Sequence, residues 1–174
     1  MGRLKALDEK LNIKGKRILI RVDLNVPIKD KKVSDISRIE KIVPVLKEFI
    51  SRKSKIILIS HLGRPQGRFD EKLSLKPVSL VLENLLKVKV HFSSESIGSS
   101  VIEKSKKINS GEILLLENIR FHKEEELNEN VFSKELSKLG DFFINEAFSC
   151  SHRSHASVCE ITNHINSYAG KLLI

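Results

Sequence analysis

The sequence predicts an α/β fold, a doubly wound parallel sheet with helices on both faces. Short runs rich in β-branched and other apolar residues alternate along the chain with longer segments of helical period. Such alternation produces right-handed crossovers, which leave the strands parallel and cover both faces of the sheet with helices. The 174 residues suit one domain with its own core, and no repeat, low-complexity tract or linker divides them. We therefore predict a single domain.

The first strand and the first helix show the two periodicities. The run RILIRVDLNV, residues 17–26, predicts a buried strand that ends before a proline. Residues 36–52 then place apolar side chains on one face of a helix, with Ser34 or Asp35 as its N-cap. Pro44 lies inside this segment and is expected to bend or interrupt the helix.

The second strand and helix are joined by a long loop. KIILISH, residues 55–61, predicts the strand, and the loop of residues 62–72 is rich in glycine and proline. Ser74 is expected to cap a helix over residues 75–87, where a proline in the first turn costs little because its missing N–H has no helical partner.

The remaining elements continue the alternation. Residues 88–92 predict a short strand and 97–108 a helix that stops near a glycine. Residues 112–118 predict the fourth strand, 129–140 a helix, and 141–148 the fifth strand. The expected sheet is Rossmann-like.

Composition limits the class of protein. Hydrophobic residues make up 40% and charged residues 30%, as in soluble globular proteins, and no apolar run is long enough to span a bilayer. The charged N-terminus lacks the apolar middle of a secretory signal, so we expect a cytoplasmic protein. In that compartment Cys150 and Cys159 should both stay reduced.

The excess of positive charge favours anionic partners. Lys and Arg total 31 against 22 Asp and Glu, which gives a formal charge of +9. Nucleic acid, acidic lipid surfaces and phosphorylated metabolites all fit that sign. The chain has no Trp and one Tyr, so aromatic platforms for stacking bases are scarce, which disfavours nucleic acid.

Polar residues that follow the predicted strands indicate a ligand site, because ligands of open α/β sheets bind beyond the carboxyl ends of the strands. The candidates are Asp23, Asn25, Arg38, His61, Arg64, Arg120, His152 and Arg153. Any single charge could be a solvated surface residue, but arginine forks suit phosphate and carboxylate oxygens. Four arginines and two histidines on one rim predict a small, multiply charged anion, whose hydroxyl can donate to Asp23 or Asn25.

A zinc site is the competing interpretation of the last of these segments. Cys150, His152, His155 and Cys159 lie within ten residues and are all potential metal ligands. Structural zinc typically uses ligand pairs separated by a longer connection, and this segment also lacks glycine for tight turns. We therefore predict no metal at these residues and favour the anion site.

Five motifs resemble, in order, the signature motifs of phosphoglycerate kinases. They are RVDLNVP (21–27), SRI (37–39), SHLGRPQG (60–67), LLLENIRFHKEEE (114–126) and NEAFSCSHRSHAS (145–157). The resemblance implies that residues 1–174 are the N-terminal domain that binds 3-phosphoglycerate or 1,3-bisphosphoglycerate. A C-terminal domain, absent from this sequence, binds Mg-ATP or Mg-ADP, so no cofactor is expected on this chain. The resemblance further implies a monomeric glycolytic enzyme that contacts neither nucleic acid nor membrane.

The resemblance also implies a role for each candidate. Asp23 and Asn25 hold the glycerate end of the substrate, and His61 and Arg64 belong to the loop after the second strand. Arg38 faces the transferring phosphoryl group in an in-line transfer that forms no covalent enzyme intermediate.

The last two motifs carry the remaining implied contacts. Arg120 and Arg153 bind the phosphate that is not transferred. His152 is a further contact with the substrate, and His155 is structural.

Three departures from the family pattern lead to expectations of their own. The chain is less than half as long as family members and has no GxxxxGK[ST] motif, so it should be inactive alone. Glu146 and Ser149 stand where the family usually has Asp and Gly, and a positive φ would strain Ser149. An apolar surface is expected near residues 172–174. A basic α/β module that binds nucleic acid without enzymatic activity remains the alternative function.

Overall fold

The computed structural model describes residues 5–173 and contains a six-stranded parallel sheet. Its order is β5-β6-β4-β1-β7-β8, and every neighbouring pair is parallel. Two further strands, β2 and β3, form a separate antiparallel hairpin. The bounds are β1 Arg17–Arg21, β2 Ile28–Lys29, β3 Lys32–Val33, β4 Lys55–Ile59, β5 Val90–Ser93, β6 Ile113–Leu116, β7 Phe142–Asn145 and β8 Ser167–Ala169.

Helices connect the strands in the order that the sequence predicts. Within the described residues they are α1 Ser37–Ser51, α2 Lys76–Leu86, α3 Ser99–Lys107, α4 Lys123–Glu126 and α5 Asn130–Ser137. Short 3₁₀ turns over Ile119–Phe121 and Phe148–Cys150 follow β6 and β7. The four predicted helices are confirmed, and α4 is an additional single turn.

Side chains of the sheet alternate between two cores, as a doubly wound fold requires. Ile18 and Ile20 of β1 are fully buried in a core that also contains the inner faces of α1 and α2. Leu19, between them, is fully buried on the other face with residues of α3 and α5. The sheet therefore has helices on both faces, and the predicted fold class is confirmed.

The predicted strands are all present, but they are shorter than their apolar runs. The first ends at Arg21, because beyond it Leu24 N donates to the Ser60 hydroxyl at 2.9 Å and the chain leaves the ladder. The sequence did not predict β8 or the β2–β3 hairpin. β8 has three half-buried residues and the hairpin strands two each, too short for a periodic signal.

The helix starts lie close to the predicted caps. α1 begins after Ile36, and Asp35 accepts from Ser37 N at 2.9 Å without serving as the N-cap. α1 also continues through Pro44, so the helix is not interrupted there, and the alternative expectation of a bend at Pro44 stays a prediction. The N-cap of α2 is Leu75, so Ser74, the predicted cap, lies one residue before it.

No helix within residues 5–173 is long and apolar enough to cross a lipid bilayer. The apolar surface expected near residues 172–174 is visible at Leu172, which is 43% exposed, whereas Ile174 lies outside the described residues.

Candidate functional site

The candidate side chains follow four neighbouring strands. β6, β4, β1 and β7 are consecutive in the sheet and run in the same direction. Their carboxyl ends therefore meet at one edge, which is the edge where open α/β sheets bind ligands. The loops at this edge are connected to one another by side-chain hydrogen bonds.

Asp23 connects the β1 loop to α1 and to the loop after β7. Its Oδ2 accepts from Arg38 Nη1 at 2.6 Å and from the Ser149 hydroxyl at 2.7 Å. Its Oδ1 accepts from Asn25 N at 3.1 Å. Arg38 remains half exposed, so its guanidinium can also reach a ligand.

The loop after β4 is held on both sides by predicted site residues. Gly63 N donates to Asn25 Oδ1 at 2.9 Å, and Gly63 O accepts from Arg120 Nη1 at 3.1 Å. Gly67 N donates to Arg120 O at 3.2 Å. Gly63 has a φ of 61°, a left-handed conformation that favours glycine. These contacts fix the backbone on which Arg64 is carried.

His61 is 5% exposed and is neutral at physiological pH. Burial lowers the pKa of His61 to about 2, and the positive charges of Arg21, Arg120 and Arg153 act in the same direction. Its Nδ1 lies 2.8 Å from Arg21 Nη2. Because a guanidinium has no acceptor, Nδ1 accepts this hydrogen bond and the ring proton is on Nε2.

Arg21 belongs to the site although the sequence analysis omitted it. The side chain is fully buried and donates from Nε to Ser157 Oγ at 2.9 Å and from Nη1 to Val22 O at 2.6 Å. The available signal was a charged residue within a buried strand, which is rare unless the charge is paired. Its partner Ser157 is distant in sequence, so the pairing itself could not be read from the chain.

Arg120 has one donor nitrogen, Nε, without a hydrogen-bond partner among residues 5–173. The residue is 4% exposed, and its Nε is buried without a hydrogen-bond partner among the described residues. Glu126 Oε1 lies 3.7 Å away, beyond hydrogen-bond length, on a side chain that is 43% exposed. Burial lowers the pKa of Arg120; the Glu126 carboxylate opposes this effect, and the charges of Arg153 and Arg21 add to it. Arg120 Nε therefore has a nearby opposite charge but no hydrogen-bond acceptor among the described residues.

The remaining predicted residues, Arg153, Arg64 and His152, differ in how closely they approach the other residues of the site. Arg153 is half-buried, and its charge lowers the pKa of both His61 and His155, so the three lie in one electrostatic cluster. Arg64 and His152 are exposed, and within residues 5–173 neither forms a hydrogen bond or ion pair with another predicted site residue.

His155 has a mixed environment. Its Nδ1 is buried without a partner among residues 5–173, and burial lowers the pKa of the ring, with Arg120 acting in the same direction. Its carbonyl accepts from Val158 N and Cys159 N, which supports the turn after Arg153.

Comparison with known proteins identifies the family. The model of the family described as "Phosphoglycerate kinase" matches residues 8–174. The chain belongs to the phosphoglycerate kinase family. The phosphoglycerate kinase of Leptospira biflexa serovar Patoc is 51% identical over 165 residues, which are 95% of this chain and 42% of that protein. That of Orientia tsutsugamushi is 48% identical over 162 residues, or 93% of this chain and 40% of that protein.

Solved phosphoglycerate kinases have the same fold. The enzyme from Coxiella burnetii superposes with a TM-score of 0.87 at 33% identity. The superposition covers 98% of this chain and 42% of the Coxiella chain. The enzyme from Pyrococcus horikoshii OT3 gives 0.84 at 31% identity over 95% of this chain and 42% of its own. The chain thus spans less than half the length of the phosphoglycerate kinases it matches. None of these matches supports the alternative of a nucleic-acid-binding module.

The two departures from the phosphoglycerate kinase pattern are accommodated. Ser149 lies in the 3₁₀ turn Phe148–Cys150 and is not among the described residues with positive φ, so the expected strain is not found. Glu146 is 3% exposed, and its carboxylate accepts from Lys171 N at 3.0 Å and Leu172 N at 2.9 Å. Burial raises the pKa of Glu146, an effect that those two hydrogen bonds oppose.

The geometry gives the zinc hypothesis no support. Cys150 is buried, with Sγ 3.8 Å from His61 Nδ1, whereas Cys159 is exposed. Among residues 5–173, no three His, Cys, Asp or Glu side chains are grouped so that they could hold a metal ion.

Proposed function

We propose that residues 1–174 form the domain of a phosphoglycerate kinase that binds 3-phosphoglycerate or 1,3-bisphosphoglycerate. The complete enzyme would transfer a phosphoryl group reversibly between 1,3-bisphosphoglycerate and ADP, which gives 3-phosphoglycerate and ATP in glycolysis. The observation that carries the proposal is the buried Arg120 Nε, which has no protein acceptor among the described residues and lies in a cluster of positive charge. An unpaired buried donor is costly, and a bound phosphate oxygen would satisfy it.

In this proposal the phosphate that is not transferred binds among the positive charges of Arg120, Arg153 and Arg21. Arg120 and Arg153 donate to its oxygens, and His61 offers the proton on Nε2. The neutral ring adds a donor without adding to the repulsion among the arginines. His152 and Arg64 are exposed and approach the ligand from the loops that carry them.

The glycerate end of the substrate would contact the β1 loop. Asp23 and Asn25 accept from its hydroxyl and orient its carboxyl carbon toward Arg38. To reach the transferring phosphoryl group, Arg38 exchanges its ion pair with Asp23 for phosphoryl oxygens. In-line transfer needs fixed positive charge and correct placement of the substrate, and this chain would supply both without a covalent intermediate.

The nucleotide would bind outside these 174 residues. The sequence has no glycine-rich GxxxxGK[ST] loop, and the part of the chain that the structure describes has no group of three carboxylate, His or Cys side chains to hold Mg²⁺. We therefore assign no step to Mg-ATP on this chain and expect it to be inactive alone. We further propose that the complete enzyme is a cytoplasmic monomer that needs neither membrane nor nucleic acid.

Calorimetric titration of the purified chain with 3-phosphoglycerate tests the proposal. We expect saturable one-to-one binding that Arg153→Ala weakens at least tenfold, because the substitution removes a charged donor to phosphate. Lys107→Ala is the matched control, since it removes a positive charge at the end of α3, away from the site. Equal losses in both variants would contradict a specific site and indicate non-specific attraction to the net charge.

A further inference from the structure

Four buried side chains form a continuous hydrogen-bonded chain beneath the candidate site. They are Glu125, Ser157, Arg21 and His61, of which the first three are fully buried and His61 is 5% exposed. They come from α4, the segment after Arg153, β1 and the loop after β4. The proposed contacts of the substrate account for His61 alone. The other three require a different explanation, because burying two opposite charges is costly.

The direction of each hydrogen bond follows from the chemistry of the donors. Arg21 can only donate, so Ser157 Oγ accepts from Arg21 Nε at 2.9 Å. The Ser157 hydroxyl proton remains available as a donor, and Glu125 Oε1 accepts it. Glu125 Oε2 accepts from Ser157 N at 2.9 Å. Both carboxylate oxygens thus contact Ser157; burial raises the pKa of Glu125, and the charge of Arg21 and these two hydrogen bonds oppose that effect.

The far end of the chain fixes the tautomer of His61. Arg21 Nη2 donates to Nδ1 at 2.8 Å, so the ring carries its proton on Nε2. Cys150 Sγ lies 3.8 Å from the same Nδ1 and could also accept from it. If Arg21 moved away, Nδ1 could carry the proton and donate to the sulfur. Nε2 would then have no proton and could no longer donate.

We propose that Glu125 and Ser157 are positioning residues that hold Arg21 so that His61 presents an Nε2–H donor to the anion. This inference rests on the proposed function for the identity of the anion, but the tautomer itself does not depend on it. Glu125 polarises and orients Ser157, Ser157 holds Nε of Arg21, and Arg21 selects the tautomer. None of the three touches the ligand.

Glu125 also positions the segment that carries Arg153. Its backbone carbonyl accepts from Ala156 N at 2.8 Å, while its carboxylate accepts both hydrogens of Ser157. A glutamine has one carbonyl oxygen and an NH₂ group, so it cannot accept both hydrogens in the same geometry. Glu125→Gln should therefore disturb the tautomer of His61 and the placement of Arg153 together.

Nitrogen-15 NMR of the ligand-free chain, labelled at histidine, tests the proposal directly. At pH 7 we expect His61 to show a protonated Nε2 and an unprotonated Nδ1, with its signals assigned by their loss in His61→Gln. In Ser157→Ala the two nitrogen shifts should move toward each other, as for a mixture of tautomers. Ser157→Thr keeps the hydroxyl and should restore the original shifts.

Ser133→Ala is the control for loss of a buried hydroxyl. Ser133 is fully buried, and its hydroxyl contacts Ala156 O at 3.4 Å, beside the same segment but away from Arg21. It should leave the His61 shifts unchanged. Unchanged shifts in a folded Ser157→Ala, or an Nδ1–H tautomer in the unsubstituted chain, would overturn the proposal.

Titration with 3-phosphoglycerate gives the second readout. We expect Ser157→Ala to bind about tenfold more weakly, the loss typical of one hydrogen bond to a charged group, and Ser157→Thr to recover most of it. If the unsubstituted chain binds no 3-phosphoglycerate but shows the expected tautomer, the proposed function fails and the positioning role stands. If binding is normal and Ser157→Ala leaves the tautomer unchanged, the positioning role fails.

Discussion

At the scale of single residues, Arg38 and His61 illustrate two ways of preparing a group for an anion. Arg38 is exposed and held by one carboxylate, so it can leave that partner for a ligand. His61 is buried and held by a donor, so it keeps one protonation state. The first residue is adjustable and the second is fixed.

Arg38→Ala should impair catalysis and leave the fold intact. The Arg38–Asp23 ion pair is half exposed, and exposed pairs contribute about 0–1 kcal/mol to stability. Removing a preorganised donor from a transferring group costs about 10²- to 10³-fold in rate. Turnover of a complete enzyme carrying this domain, with the midpoint of urea unfolding, would measure both. Near-normal turnover would contradict the role proposed for Arg38.

His61 should make the protein less stable in mild acid. Its pKa falls from 6.5 in the unfolded chain to about 2 in the native state, so its contribution is complete above pH 6.5 and is lost as the pH falls below that value. At pH 5.5 the loss from this group is about 1.4 kcal/mol.

Comparison of two variants isolates this effect. His61→Gln should lower the free energy of unfolding at pH 7.5 but reduce its change between pH 7.5 and 5.5. Burial also lowers the pKa of His122 and His155, so some acid sensitivity remains. An unaltered pH dependence in His61→Gln would mean that His61 becomes protonated in the native state.

At the scale of elements, the loop after β4 is shaped by two glycines in left-handed conformations. A Cβ on Gly63 would lie 2.8 Å from Leu73 Cδ2, the end of a flexible side chain. A Cβ on Gly67 would lie 2.7 Å from Lys123 Cβ and 2.9 Å from Lys123 Cα. The backbone at the start of α4 cannot move as easily, so Gly67 sets the distance between this loop and α4.

Gly67→Ala should therefore lower stability by more than the conformational strain of a positive φ alone would. Gly15→Ala is the matched control, because Gly15 also has a positive φ but open space around it. We expect the free energy of unfolding to fall by about 1 kcal/mol in Gly15→Ala and by about 2–4 kcal/mol in Gly67→Ala. Urea unfolding of both variants measures the difference. Phosphoglycerate binding should weaken in Gly67→Ala alone, since Gly67 N bonds to Arg120 O, and equal effects would contradict the close-approach argument.

Sequence reasoning was most successful for elements with a clear period. The apolar runs of β1, β4, β6 and β7 and the amphipathic α1 and α2 could be predicted because burial imposes a repeat on residue types. The hairpin and β8 could not, because so few residues carry no period. The N-caps lie one residue later than predicted, at Ile36 and Leu75. Asp35 and Ser74 instead precede the caps and accept from backbone amides two residues further along the chain.

For the site, the sequence predicted the edge of the sheet and candidate residues along it, but it missed the buried residues Arg21, Ser157 and Glu125. Asp23, Arg38, His61 and Arg120 follow strands, and strand polarity alone brings them to one side. Arg21 bonds to Ser157 across 136 residues of sequence, and Ser157 bonds to Glu125 across 32. Such a pairing depends on side-chain geometry that no local pattern encodes.

At the scale of the whole molecule, Glu146 ties the last described residues to the sheet. Its carboxylate receives the amides of Lys171 and Leu172, while the Lys171 ammonium contacts Glu48 at 2.8 Å and Glu9 at 3.3 Å. A Cβ on Gly170 would lie 2.0 Å from Glu146 Cδ. One buried carboxylate thus packs against three consecutive residues.

Glu146→Ala should loosen this segment and lower stability. The amides of Lys171 and Leu172 would lose their acceptor, which costs about 1–3 kcal/mol where they stay buried. Hydrogen exchange followed by mass spectrometry should show faster exchange at residues 170–172. Glu160→Ala, which removes a partly exposed carboxylate far from these amides, should leave that exchange unchanged. Slow exchange in Glu146→Ala would show that other contacts hold the segment.

The position of β1 at the centre of the sheet has a kinetic consequence. β1 pairs with β4 on one side and with β7 on the other, and Arg17 N bonds to Asp141 Oδ2 across 124 residues. Pairings of such large sequence separation close late in folding, because the entropy of the intervening chain must be lost first. Arg153 follows β7, so the candidate site is complete only after that step. We expect 3-phosphoglycerate to slow unfolding without accelerating folding, which stopped-flow measurements with and without the ligand can determine.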